Sequence, residues 1–330
     1  MATINWGVLG VANIAVRAVI PALQRARNAR LVAIASRTAA RAQEAAQRLK
    51  IPRSHASYEA LLADPEIQAV YIPLPNTLHC EWTLRCAAAG KHVLCEKPLA
   101  VSAAECDAMI AACRRHGVVL MEAFMYRFHP RTERVLEIVR AGGIGDVRLV
   151  RAAFTFATRE RRGNIRFDPA LGGGALNDVG CYATNLCRAV LGEASEVVAF
   201  GTIGSTGVDE TAAGLLRCAD GRVGMIDCGI TLPRRETYEI VGTTGRLVVP
   251  NPGAFLPTMA ETTLDIVRGA DRDVVTIPGT DQYQRMVEHF GDVLSGERLA
   301  LPPDDAVANV RTIAALRASL EHGTPTTVTV

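Results

Sequence analysis

Ile4-Asn-Trp-Gly-Val-Leu-Gly10-Val-Ala-Asn-Ile-Ala15 is the stretch on which the reading of this chain turns. Apolar residues run to Leu9 as in a short buried strand, Gly10 interrupts them, and an amphipathic helical pattern follows from Ile14 to Ala26. Strand, turn and helix put Gly10, Ala12 and Ala15 into the frame G-x-G-x-x-G of a dinucleotide-binding turn. Only the first glycine of that frame is kept. Gly10 can make the tight turn and Ala15 still permits close helix packing, but the Ala12 methyl stands where backbone should approach a pyrophosphate. Gly10, Ala12, Asn13 and Ile14 are therefore candidate cofactor contacts that need support, because any tight strand-to-helix turn of an α/β protein reads similarly.

The rhythm downstream supplies the first support. Short strand-like runs at Leu31 to Ser36, Ala69 to Ile72, His92 to Cys95 and Val118 to Met121 alternate with helical segments at Ala39 to Leu49, Leu78 to Ala89 and Ala103 to Arg115. This βαβ order predicts a parallel sheet covered by helices on both sides. After Pro130 the texture changes to longer alternating runs. They lie at Val147 to Phe156, Glu196 to Ile203, Ala212 to Cys218, Arg222 to Ile230, Tyr238 to Val241 and Arg246 to Val249. Turn signals at Asp220-Gly221, Thr244-Gly245 and Pro252-Gly253 separate them. Helical patterns return at Ala175 to Leu191, Gln282 to Leu294 and Asp304 to Glu321. The expected class is α/β: a Rossmann dinucleotide-binding domain over residues 1–123, then an α+β domain over 124–330 with a large, mostly antiparallel open sheet. The second domain would bind substrate and carry the subunit contacts.

Composition narrows the possible functions. With 330 residues, 49% hydrophobic, 21% charged and a net charge of +2, the chain suits two domains with real cores, and it is not basic enough for nucleic acid. No apolar run approaches the roughly 20 residues of a bilayer span. The N-terminus carries no basic segment ahead of its apolar stretch, so a cytoplasmic location without an export signal is expected. Nine cysteines without a C-x-x-C or a Cys/His cluster argue against both a disulfide framework and a metal site.

Where an NAD-selective protein carries an acidic residue for the ribose 2′-hydroxyl, the second strand ends in Ser36-Arg37-Thr38, with Arg41 one turn on. A carboxylate there would repel a 2′-phosphate, whereas Ser36, Arg37 and Arg41 can hydrogen-bond and neutralise it. NADP(H) is thus expected over NAD(H). Arginines decorating a solvated helix start are the plainer alternative.

Two further stretches carry chemistry: Ala89-Gly-Lys-His-Val-Leu-Cys-Glu96-Lys97-Pro98-Leu and Gly172-Gly-Gly-Ala-Leu-Asn-Asp178-Val-Gly-Cys-Tyr182. They set out a lysine, a carboxylate and a phenol. Asp178 and Tyr182 stand four apart in a helical pattern opened by three glycines, so both should leave one face, with Asp178 near the positive end of the helix. A free phenol ionises near pH 10 and is a poor base at neutrality. A Lys97 ammonium about 4 Å away would favour phenolate by roughly 4 kcal/mol at an effective dielectric near 20, before desolvation is subtracted.

With Trp6 to Ala15 and Pro75-Asn76-Thr-Leu-His79, these segments resemble, in the expected order, the glucose-fructose oxidoreductase, inositol dehydrogenase and rhizopine-catabolism (Gfo/Idh/MocA) oxidoreductases. Glu122-Ala-Phe-Met-Tyr-Arg-Phe-His-Pro130 is similar to the branch with dimeric dihydrodiol dehydrogenases and NADP-dependent D-xylose dehydrogenases. Many relatives carry His where Tyr182 stands. The resemblance implies hydride transfer between nicotinamide C4 and a carbinol or carbonyl of a sugar-like small molecule, with Tyr182 as acid/base, Lys97 stabilising phenolate and Asp178 positioning substrate. Glu96 would hold Lys97 or the nicotinamide ribose, and Pro75, Asn76 and His79 would lie at the cofactor. For His79 a packed, hydrogen-bonded role stands equally open. Arg127, His129 and Arg166 are secondary pocket candidates for which surface or structural roles are favoured, and Cys95 reads as strand core. A cis Lys97-Pro98 bond is implied too, as is a homodimer or homotetramer through the C-terminal sheet. The same fold also serves non-catalytic NADP- or sugar-sensing regulators, and among enzymes a trans-dihydrodiol dehydrogenase or nucleotide-sugar ketoreductase competes with a sugar dehydrogenase.

Overall fold

The computed structural model describes residues 3–251, 253–257 and 259–329. Pro252, the first residue of one expected turn, lies outside them, as do Met1 and Ala2. The chain divides into two compact units, Met1–Met125 with Asp281–Val307, and Tyr126–Thr280 with Ala308–Val330.

In the first unit, strands β1 (Ile4–Leu9), β2 (Ala29–Ala35), β3 (Arg53–His55), β4 (Ala69–Ile72), β5 (His92–Cys95) and β6 (Leu120–Glu122) form a sheet in the order β3-β2-β1-β4-β5-β6. All its pairings are parallel, and the order is the doubly wound one whose switch point falls between β1 and β4. The connecting helices are α1 (Ile20–Arg25), α2 (Ala39–Leu49), α3 (Tyr58–Leu62), α4 (His79–Ala88) and α5 (Ala103–His116). Thr38, Ser57 and Ser102 cap α2, α3 and α5 with their hydroxyls. The helix expected from Ile14 to Ala26 is split: Ala15–Val19 forms a π turn ahead of α1. Pro21 in the first turn of α1 has no N–H to donate, which favours such a widening just before it.

The second unit is built on a nine-stranded sheet. Its strands are β7 (Val147–Ala157), β8 (Ala194–Ile203), β9 (Asp209–Cys218), β10 (Val223–Gly229), β11 (Thr231–Gly242), β12 (Arg246–Val249), β13 (Thr262–Arg268), β14 (Asp271–Ile277) and β15 (Thr326–Thr327), in the order β14-β13-β12-β11-β7-β10-β9-β8-β15. Only the β10–β7 pair is parallel, so the sheet is mostly antiparallel as expected. Strand β11 begins seven residues before the expected Tyr238; Pro233 and a register shift between Thr231 and Arg235 hide its first half from a period-two reading. Helices α6 (Pro130–Arg140) and α7 (Cys181–Leu191), with most of α9 (Pro303–His322), complete this unit. Helix α8 (Gln282–Leu294) belongs instead to the first unit, although the sequence places a single division at 123/124. The Phe290 ring lies 5.1 Å from that of Trp6, and Asn28 Nδ2 donates to Asp292 Oδ1 at 2.9 Å, so apolar burial and a buried amide bond tie α8 to the Rossmann core.

Candidate active site

The turn after β1 is tight. Gly10 has φ +101, a conformation L side chains rarely adopt, and its N–H donates to the Ala35 carbonyl at 2.8 Å. A Cβ there would meet Leu74 Cδ2 at 3.2 Å and the Tyr58 hydroxyl at 3.4 Å. Beside the turn is a polar depression of about 390 Å³, lined by Val11, Asn13, Arg17, Arg41, Glu44 and Arg48 among others. Arg41 Nη2 donates to the Val11 carbonyl at 3.4 Å, tying α2 to the turn. Ser36 is buried and Arg37 exposed at the end of β2. Arg17 and Arg48 were missed by the sequence reading; Arg17 lines this depression from the π turn two residues past Ala15, and Arg48 from α2 two turns beyond Arg41. Tyr58 was missed as well. Its phenol stands near Arg37 and Arg41, whose charges oppose the upward push of burial on its pKa.

Lys97 leaves a turn whose backbone is held by buried acids. The Lys97–Pro98 bond is cis. Glu96 Oε2 accepts the Lys97 N–H at 3.3 Å, and Glu122 Oε1 accepts the Leu99 N–H at 2.7 Å. Glu96 and Glu122 are both buried. Pro75 and Asn76 lead into α4, whose first residue, His79, is fully buried with its two ring nitrogens each 2.9 Å from a carbonyl oxygen, of Pro98 and of Leu74. Burial pushes the His79 pKa below its ordinary value, with those carbonyls opposing the shift. His79 thus has the packed, hydrogen-bonded role, joining the loop before Pro75 to the loop after Lys97. Cys95 is strand core, its thiol pKa pushed up by burial.

In the second unit, Tyr182 is 3% exposed and ringed by aromatics: the centroids of Phe154, Phe255 and Tyr126 lie 5.3, 5.6 and 5.8 Å from its own. Asp178 sits one step earlier in a π turn, Leu176–Gly180, that precedes α7, so the helix expected from Ala175 is not α-helical throughout. The three glycines do more than open a helix. A Cβ on Gly173 would meet the Arg166 carbonyl at 2.5 Å, and one on Gly174 (φ +108) would meet Asp209 Oδ1 at 2.2 Å. Asp209, buried and unnoticed in the sequence, takes the helix start for itself, accepting the Leu176 N–H at 2.6 Å; burial pushes its carboxyl pKa up. The charge of Asp178 is answered instead by Arg166, whose Nε donates to Oδ2 at 2.6 Å. Arg127 donates to Asn185 Oδ1 at 3.0 Å, and His129 caps α6 by accepting the Arg131 N–H at 3.1 Å. Among the described residues, no group of three or more His, Cys, Asp and Glu could hold a metal ion, and no helix is long and apolar enough to cross a membrane.

A parallel doubly wound sheet with a tight turn at Gly10, followed by a unit built on a large, mostly antiparallel sheet, is the architecture of a dinucleotide-binding protein. The family model described as the oxidoreductase family, NAD-binding Rossmann fold, matches residues 4–124, and the GFO/IDH/MocA C-terminal domain matches residues 132–248. The chain belongs to the Gfo/Idh/MocA family and is an oxidoreductase acting on CH–OH or carbonyl groups. It is 43% identical over 323 residues to D-xylose 1-dehydrogenase (NADP(+)) 2 of Haloferax volcanii, covering 96% of this chain and 98% of that protein. It is 37% identical over 246 residues to trans-1,2-dihydrobenzene-1,2-diol dehydrogenase of Mus musculus, 73% of each. Both names fall in the branch that Glu122 to Pro130 resembles. Among solved structures, a 3-ketoreductase from Actinomadura kijaniata in complex with NADP and TDP-benzene aligns with a TM-score of 0.88 and 32% identity, over 96% of this chain and 98% of that one.

Proposed function

We propose that the protein is a reversible NADP(H)-dependent oxidoreductase of a secondary or anomeric carbinol in a sugar or related polyol, working through a Lys97–Tyr182 acid/base pair without a metal. Bound cofactor supplies or accepts the hydride. Tyr182 takes or gives the hydroxyl proton, Lys97 stabilises its phenolate, Asp178 orients the substrate, and Glu96 holds the Lys97 backbone. The observation that carries this reading is the fixing of Tyr182: a buried phenol clamped by three rings, one turn from a paired carboxylate, is preorganised for proton transfer. The arginine-lined depression beside Gly10 supports NADP over NAD, since Arg17, Arg41 and Arg48 outnumber Glu44 there. The D-xylose and dihydrodiol relatives support the substrate class.

In this reading the first unit binds cofactor and the second binds substrate. The open face of the nine-stranded sheet joins subunits into a homodimer or homotetramer. That face holds a broad depression of about 930 Å³ whose lining includes Phe200, Leu215 and Met225, all exposed. The nine cysteines are all free thiols, which suits work in the cytoplasm.

Purified protein with NADP or NADPH, assayed at the nicotinamide absorbance band against aldoses, keto sugars and trans-dihydrodiols, tests the assignment. Turnover of one class is expected. Tight NADPH binding with no turnover of any would leave a sensor instead.

A further inference from the structure

Arg166 holds more hydrogen-bonding capacity than the protein consumes. Of its five N–H donors, Nε–H is committed to Asp178, while the Nη nitrogens donate to no described residue. The side chain is nevertheless fixed. Its guanidinium carbon lies 5.4 Å from the centroid of the Phe156 ring, its backbone N–H donates to Asn164 Oδ1 at 3.1 Å, and its carbonyl accepts the Gly174 N–H at 2.9 Å. Phe156 stands two residues from Phe154 on β7, hence on the same sheet face, with ring centroids 6.4 Å apart. Phe154 in turn packs on Tyr182. Phenol and guanidinium therefore stand over adjacent rings of one strand. The Arg166 and Asp178 side chains keep 37% and 19% of their surface exposed, so both can reach a ligand.

We propose that the Arg166–Asp178 pair reads a vicinal diol: Nη–H of Arg166 donates to, and the Asp178 carboxylate accepts from, the hydroxyl next to the carbon that reacts at Tyr182. The proposal rests on the acid/base reading of Tyr182. A charge-neutral pair offering donors and an acceptor side by side suits a neutral polyhydroxylated substrate, and gives an anionic one little net attraction. The substrate class is thereby narrowed to compounds with two adjacent oxygens, an aldopyranose or a carbocyclic diol.

The test compares kcat/KM for D-glucose and 2-deoxy-D-glucose in wild type, Arg166→Ala, Arg166→Lys and Tyr182→Phe, with NADPH affinity and Tm as checks on folding. Wild type should favour D-glucose by about 10- to 100-fold, as expected for hydrogen bonds to charged partners. Arg166→Ala should cut that preference severalfold through D-glucose alone, and Arg166→Lys, a second variant that keeps a cation beside Asp178, should reduce it less. A wild type indifferent to the 2-hydroxyl or inactive with both sugars, or arginine variants that keep the full preference, overturns the inference. If Tyr182→Phe is inactive in that last case, the acid/base reading stands alone; if it turns over normally, both fall.

Discussion

The Tyr71 hydroxyl donates to Glu96 Oε1 at 2.5 Å from a fully buried position on β4, so the acid beside Lys97 is anchored by the neighbouring strand. With Glu96 accepting the Lys97 N–H, Glu122 accepting the Leu99 N–H and Pro98 having none to offer, no backbone donor in that turn is left unsatisfied. Losing a donor to a buried carboxylate costs more than losing a solvated contact, so the arrangement resists distortion. The Lys97 side chain leaves a rigid support.

Replacing Tyr182 by Phe removes one hydroxyl from a ring cage that is otherwise apolar or aromatic. NADPH affinity should remain within a few-fold while kcat falls by about 10²- to 10⁴-fold, the span of a lost general acid/base. Fluorescence titration of NADPH and steady-state turnover give the two numbers; turnover at the wild-type rate would remove Tyr182 from the chemistry.

Arg37→Ala should weaken NADPH by about 10- to 100-fold and NADH hardly at all, because only the former carries a 2′-phosphate for the guanidinium to meet. Equal losses for both cofactors would place recognition of that phosphate with Arg17, Arg41 or Arg48, which line the depression.

Gly173→Ala puts a methyl carbon 2.5 Å from the Arg166 carbonyl, a backbone atom that cannot swing aside. Denaturant unfolding should show a loss of about 1–3 kcal/mol, as for other forced overpacking, with reduced turnover because the Arg166 segment must move. Unchanged stability would show that this close approach does not occur in solution.

His92 Nδ1 accepts the Val119 N–H at 3.0 Å, which only the unprotonated nitrogen can do, and burial lowers the imidazole pKa. The folded pKa lies below the unfolded value near 6.5, so the unfolded chain binds more protons as the pH drops through that value. The stability from neutral His92 is present above that pH and is lost as the pH falls toward the folded pKa. Melting curves between pH 7.5 and 5.5 should therefore show a falling Tm, and His92→Gln, which keeps an acceptor but does not titrate, should fall by about 2 °C less. Parallel curves would mean that His92 does not lose its proton on folding.

Much of the first unit was legible in the sequence because each of its elements buries a local pattern. Strands β1, β4 and β5 and helix α2 coincide with their apolar or amphipathic runs, and the cap at Thr38 is written beside the Ser36-Arg37 pair. Strands β3, β13, β14 and β15 passed unnoticed: β3 and β15 are only three and two residues long, and β13 and β14 form one edge of the nine-stranded sheet, where β14 is exposed along most of its length and shows no buried alternation. Strand β11 was half hidden because a proline interrupts its ladder.

Local sequence determined the parallel sheet, the tight turn at Gly10 and the residue types available for chemistry, because strand and helix periods and glycine backbone freedom are properties of neighbours in the chain. Tertiary structure alone decided that α8 returns to the first unit, that Asp209 caps the helix Asp178 was expected to share, and that Arg166 neutralises Asp178. Those outcomes depend on which groups meet across the 12 to 264 positions separating the partners, where burial energy and charge pairing act without any local periodicity to announce them.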